Sequence, residues 1–284
     1  MSPSDPTQRF KGRIENYAKY RPSYPRDVLE LLEMERGLTG TSVVADVGSG
    51  TGILSELFLA NGNCVLGVEP NREMRGAAER RLRRHPLFTS IAGTAEATTL
   101  DDASVDFVAA AQAFHWFDPQ RARAEFARTL KPGGWVVLIW NLRCKEATPF
   151  LAAYERLLEV YRTDRGEVEF WRRSDEMAES LFGPGSFKTA SFDNEQVLDL
   201  DGLKGRLHAI SYVPAEGEPG SDDYRERGGG LKRPAPLGPG ESAINPQLGE
   251  EGLVREPTPS IDMLRRQCRL LPRASLPYQT QNSQ

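Results

Sequence analysis

The chain has 284 residues, 39% of them hydrophobic and 27% charged, with a formal net charge of −4. That length holds one large domain or two small ones around a sizeable core. The lack of any broad Lys/Arg excess argues against a nucleic-acid surface, which must neutralise phosphates, and three scattered cysteines (Cys64, Cys144, Cys268) argue against a disulfide framework or a structural zinc site.

In chain order, the opening "MSPSDPTQRFKGR" has no apolar centre and does not read as a signal peptide. Residues 14–20 read as a short helix stopped by the prolines of "RPSYP", and 27–35 as a second helix. From about 41 to 141, apolar runs alternate with helical patterns. "SVVADVG" predicts a buried strand, followed by a helix over 51–60 with Ile53, Leu54, Leu57 and Phe58 on one face. "CVLGVE" is a second strand, and 71–84 a helix capped by Asn71. "FTSIAG" and "VDFVAAAQ" are the third and fourth strands, 119–130 is a helix, and "WVVLIW" is a fifth strand after the turn "KPGG". Such alternation, with continuously apolar strands, predicts a doubly wound α/β domain whose parallel sheet is covered on both faces. "WVVLIW" is also the longest strongly apolar stretch and is far too short for a bilayer span. The expected setting is soluble and cytoplasmic, with no membrane or nucleic-acid partner and no metal.

Beyond the fifth strand, 149–161 has an apolar stripe at helical spacing, "FKTASF" reads as a sixth strand and "LDGLKGRLHAIS" as one more helix. After about Pro214 the composition changes, and half of the 20 prolines lie in this last quarter. Such a stretch buries too little apolar surface to offset its ordering entropy. The expectation is a disordered tail over 214–284, with only "IDMLRRQCRLL" helical.

The chemistry concentrates at "VVADVGSGTG". Gly48, Gly50 and Gly52 lie on a strand-to-helix turn, where bare backbone lets a ligand approach closely. A dinucleotide fingerprint would place its third glycine at 53, where this chain has Ile, and Asp46 would repel a pyrophosphate. The same carboxylate favours S-adenosylmethionine (SAM), which carries an ammonium and a sulfonium and no phosphate. Glu69, ending the second strand, stands where an acid accepts hydrogen bonds from ribose hydroxyls, a feature shared with NAD sites. "GTAEAT" (93–98) follows the third strand, where backbone amides with Thr94 or Glu96 could read an adenine edge.

The run "VVADVGSGTGILSELFLANGNCVLGVEPNREM" resembles the first two motifs of class I SAM-dependent methyltransferases. "AGTAEATTLDDASVDFVAAAQAFHWFDPQRARAEFARTLKPGGWVVLIW" resembles their next three strands and helices, and "YAKYRPSYP" the opening of a small-molecule (type 11-like) branch. The likeness covers roughly residues 10–213. It implies a Rossmann-like sheet with SAM across the carboxyl ends of its first strands. The implied layout is a cap segment at 1–36, the methyltransferase domain at 37–213 and the tail at 214–284. Carried over residue by residue, Asp46, Gly48, Ser49, Gly50, Thr51 and Gly52 hold the methionine part, and Glu69 with Pro70 holds the ribose. Ala95 and Glu96 face adenine, Gln112 to His115 lie beside the sulfonium, and Tyr20 and Arg21 close over the site. Arg21 suits the SAM carboxylate. His115 has an intrinsic pKa suited to a general base, and equally could only shape the pocket wall beside Trp116.

The family closes its sheet with a seventh, antiparallel strand between the fifth and sixth. No β-branched, aromatic run in the last quarter provides one, so the sheet is expected to lack a normal seventh strand and to leave "WVVLIW" as an open edge. The implied activity is methyl transfer from SAM to a small-molecule acceptor. The departure at the carboxyl end leaves a non-catalytic or degenerate SAM-binding protein as the alternative.

Overall fold

The computed structural model describes residues 13–142, 149–163, 174–229, 231, 254–258 and 261–267. Two helices, α1 (Ile14–Tyr20) and α2 (Asp27–Arg36), precede the alternating region. It runs β1 (Val43–Val47), α3 (Ile53–Ala60), β2 (Cys64–Val68), α4 (Arg72–Leu82), β3 (Phe88–Ile91), β4 (Val105–Ala111), a 3₁₀ turn (Phe114–Trp116), α5 (Pro119–Thr129) and β5 (Leu130–Asn141). Then come α6 (Pro149–Val160), α7 (Ser174–Phe182), β6 (Lys188–Ala190), β7 (Asn194–Leu198), α8 (Leu200–His208), α9 (Ser221–Gly229), β8 (Val254–Thr258) and β9 (Ile261–Gln267).

Seven strands form one sheet in the order β3-β2-β1-β4-β5-β9-β6. The first five are parallel, and β9 is antiparallel to both β5 and β6. Alternation along each strand feeds two apolar layers. Val44, Val65, Phe107, Ala109, Val137 and Ile139 pack with Val28, Leu32 and Phe58 of α2 and α3. Ala45, Val47, Val108, Ala110, Val136 and Leu138 pack with Phe126 of α5 and Leu181 of α7. Helix starts follow local chemistry. Asn71 accepts from the amides of Glu73 and Met74, and Asp118 from those of Gln120 and Arg121 with Pro119 in the first turn. The expected turn "KPGG" lies within β5 as an irregularity, where the pairing steps from Val105–Leu130 to Phe107–Trp135.

A third apolar cluster lies apart from the sheet, built by α6, α8 and the chain after α8 with Tyr224 of α9. Arg13, itself buried, fastens α1 to this layer through the carbonyls of Ile210 and Val213. No helix among the described residues is long and apolar enough to cross a membrane.

The last quarter departs from expectation in three places. Residues 261–267, read as helical, are strand β9, which fills the position expected to be missing between β5 and β6. Backbone N–H and C=O groups along β5 need partners, and that non-local demand outweighs a weak helical periodicity. Residues 221–229, expected to be disordered, form α9, because Tyr224 supplies the large apolar contact that the composition hid. Residues 254–258 pair with β7 in a two-stranded sheet. The other tail residues, apart from 214–220 and 231, lie outside the described residues.

With β9 paired on both sides, the amides of Met263, Leu264 and Arg265 should exchange with deuterium as slowly as those of β5. Exchange at the rate of an unstructured peptide would remove β9 from the sheet.

Candidate functional site

The sheet order reverses between β1 and β4, leaving a crevice at their carboxyl ends. Asp46 lies one residue before the end of β1, level with Gly67 of β2 and Ala109 of β4. It is buried and on the α3 side, where its Oδ2 accepts from the Ser55 hydroxyl at 2.6 Å. Burial raises its pKa to about 7, the Ser55 hydrogen bonds oppose the rise, and the charge of Glu69 adds to it.

The loop after β1 is pinned to β2, because the amides of Gly48 and Ser49 both donate to the Val68 carbonyl, at 2.8 and 3.1 Å. Gly48 has φ +71°, and a Cβ there would lie 2.5 Å from the Ala113 methyl. Only glycine lets the chain after β4 press this closely on the loop. Gly50 has φ +55° and open space where its Cβ would stand. Thr51 is buried, and its hydroxyl has no hydrogen-bond partner among the described residues.

Glu69, immediately after β2, accepts from the Gly50 amide on Oε2 and from the Asn71 amide on Oε1, both at 2.9 Å. Burial raises its pKa, and these two amides and the Arg75 charge oppose the rise. Pro70 is exposed, its carbonyl taken by Arg75. The structure therefore gathers Asp46, residues 48–52 and Glu69 into one unit around two buried carboxylates.

At the end of β4, Gln112 has φ +54°, a region that side chains avoid. It is held by its amide on the Ile139 carbonyl and by Nε2 on the Asn141 carbonyl, at 2.9 and 3.0 Å. His115 lies in the 3₁₀ turn, its ring centroid 4.8 Å from that of Trp116. Phe117 reaches the glycine loop, 3.4 Å from where a Gly48 Cβ would be.

In the loop after β3, the Ala95 methyl is buried in the core. Glu96 Oε1 accepts from the Asp118 amide at 2.8 Å, and Oε2 has no partner among the described residues.

Two residues of the arm part company. The Tyr20 ring lies against α8, where a Cβ on Gly205 would collide with it, and its carbonyl accepts from Gln196. Tyr20 thus ties the arm to α8 and β7. Arg21 stacks on Tyr17 at 4.6 Å and donates to the Ala209 carbonyl, while its buried Nε has no partner among the described residues.

Several residues around the site carry no role in the sequence reading. Tyr24 is buried where its phenol feels Tyr17, Asp46 and Arg21, with burial the main reason its pKa is raised. Ser55 is the one polar side chain among the buried residues of α3, a signal that was readable. Asn141, Asn194 and Gln196 bind the backbone carbonyls of Tyr20 and Ser23, and nothing local marked them.

SAM, the cofactor implied by the resemblance, brings an ammonium, a sulfonium, a carboxylate, ribose hydroxyls and an adenine. The donor set fits: two buried carboxylates, an open glycine backbone, the unpartnered Thr51 hydroxyl and the Arg21 guanidinium edge. Among the described residues no His, Cys, Asp and Glu cluster could hold a metal.

A methyltransferase domain family matches residues 45–138. An uncharacterised methyltransferase of Schizosaccharomyces pombe is 31% identical over 211 residues, covering 73% of this chain and 81% of that one. One from Mycobacterium bovis is 40% identical over 139 residues, 49% of this chain and 54% of its own. Among solved structures, a proposed type II methyltransferase of Anaeromyxobacter dehalogenans shares the fold, with TM-score 0.56, 23% identity, and 87% and 95% of the two chains covered.

The raised Asp46 pKa has a stability consequence. The folded value of about 7 lies above the ordinary 3.8, so the folded state binds this proton more tightly, and the contribution is lost as pH rises through 7. Asp46→Asn should therefore be more stable than wild type at pH 8, by up to about 4 kcal/mol, with the margin narrowing below pH 7 and closing near pH 4. Urea denaturation across that range checks it, and a pH-independent margin would refute it.

Proposed function

The chain belongs to the class I SAM-dependent methyltransferase family, and from that premise we propose that its acceptor is a small molecule, reached under a roof made by its own first residues. SAM is the cofactor and, when bound, supplies a methyl group already activated on a sulfonium.

The observation that carries the site assignment is the Asp46 carboxylate, buried at the reversal of the sheet beside the open backbone of Gly50. In its ionised form Asp46 would attract the ammonium, and Arg21 and the Thr51 hydroxyl would take the carboxylate of the methionine part. Gly48, Ser49 and Gly52 would keep that part against backbone. Glu69, which braces Gly50, would accept from ribose hydroxyls. Glu96 Oε2 and the Ala95 backbone would meet the adenine, and Gln112 would line the sulfonium side. Methyl transfer is an in-line displacement, so holding the acceptor at the right distance provides much of the acceleration. His115 is the candidate proton acceptor for a hydroxyl or amine nucleophile.

The roof supports a small acceptor. Arg81 holds the Ala18 carbonyl at 2.7 Å, Gln196 holds Tyr20 at 2.9 Å, and Asn194 holds Ser23 at 2.9 Å. An arm fastened at successive carbonyls narrows the approach to the crevice, which suits a metabolite better than a macromolecule. A strand in the position between β5 and β6 favours the catalytic reading over a degenerate, non-catalytic protein.

Isothermal calorimetry with S-adenosylhomocysteine should detect binding by the wild type and none by Asp46→Ala or Gly50→Val. Unchanged affinity in both variants would reject the assignment. Because the ammonium needs ionised Asp46, affinity should fall about tenfold per pH unit below 7, with proton release on binding. Labelled SAM incubated with a metabolite extract should label a small product. Label found only in protein or nucleic acid would reject the small acceptor.

A further inference from the structure

We propose that Glu125 is a positioning residue for adenine recognition: from α5 it holds the loop after β3 in the conformation that reads the base.

The inference rests on SAM occupying the crevice as described above. Residues 93–100 follow β3, whose last residue, Ile91, accepts at its carbonyl from the amide of Glu69, the ribose candidate, at 3.0 Å. The loop turns back on itself, with the amides of Thr94 and Ala97 each donating to the other's carbonyl. Thr99 has φ +64°, which a β-branched residue rarely adopts and which persists only where surroundings impose it. Its neighbour Thr98 is what the surroundings grip. Thr98 is 1% exposed, and its amide and hydroxyl both donate to Glu125 Oε1, at 2.8 and 2.5 Å.

Arg128, one turn further along α5, braces that carboxylate from the other side. Its Nη2 meets Oε1 at 2.7 Å and its Nε meets Oε2 at 2.9 Å, while Nη1 reaches Asp102 at 2.6 Å. The paired guanidinium contact fixes the carboxylate plane as well as its charge. Arg128 and Thr98 together hold the Glu125 pKa down to about 2, so the grip persists across the working pH range. The other end of α5 is fastened to the same loop, because Glu96 accepts from the amide of Asp118, the residue that caps the helix. One helix thus clamps the base-side loop at two points, and the second lies directly after the turn that carries His115.

A carboxylate that only stabilised the fold would not affect which base is preferred, and that difference provides the test. Calorimetry compares S-adenosylhomocysteine with S-inosylhomocysteine, in which an oxo group replaces the exocyclic amine. The wild type should prefer the adenine compound at least tenfold. Glu125→Gln should reduce that preference about tenfold, because an amide offers its N–H groups to the donors of Arg128 and turns out of the grip. Thr98→Val should reduce it about threefold, and Thr98→Ser should restore it. Neither Glu125→Gln nor Thr98→Val should move the pH midpoint of binding, which belongs to Asp46.

A preference within twofold of wild type in both Glu125→Gln and Thr98→Val would overturn the proposal, whatever happened to their melting temperatures. A wild type that binds both compounds equally would overturn it too. No binding of either compound by the wild type would reject the SAM site itself, and this inference with it.

Discussion

A carboxylate kept out of water at the end of the central strand is the constraint around which this protein is arranged. Burial raises the Asp46 pKa to about 7, and only the hydrogen bonds from Ser55, through its hydroxyl and its amide, work against that rise. Burying such a group without a full complement of partners costs stability, a cost retained where a ligand recovers it. The loop of residues 48–52 gives the ligand access to that carboxylate. Val68 holds the loop's first two amides and Glu69 the third, so the backbone conformation exists before any ligand arrives. Preorganisation of this kind lowers the ordering cost of binding.

Around the crevice, the chain uses long side chains to hold backbone carbonyls at a distance in sequence. Arg13 reaches the chain after α8, Arg81 and Gln196 reach α1, and Asn194 reaches the arm after it. Carbonyls in an irregular arm have no ladder to satisfy them, so each such bond answers an obligation of the backbone and fixes the arm's place. The separate apolar cluster of α6, α8 and α9 gives the roof a core of its own.

Much of this was readable in one dimension. Buried strands, glycine spacing, the Asn71 cap and both acids follow from local pattern, because period, capping and strand-end chemistry act over a few residues. What local pattern did not show has one cause. Residues 261–267 have apolar spacing compatible with a helix, and they become a strand because β5 and β6 lie on either side. Tyr20 lies in a family-like opening segment, yet its ring goes to Gly205, nearly two hundred positions away. Tyr224 gave no sign in a Gly-rich, charged neighbourhood that it would fill a core.

The amino-acid sequence by itself determined the order of strands and helices from β1 to β5, the doubly wound class, and the acidic character of the first turn. Those depend on periodicity and on which side chains stand within a few residues of a strand end. Tertiary structure alone decided which strand completes the sheet, what the Tyr20 ring packs against and which carboxylate holds the loop after β3. Each of these is a contact between distant segments, and its partner is chosen by what the rest of the chain leaves beside it, a quantity no local window contains.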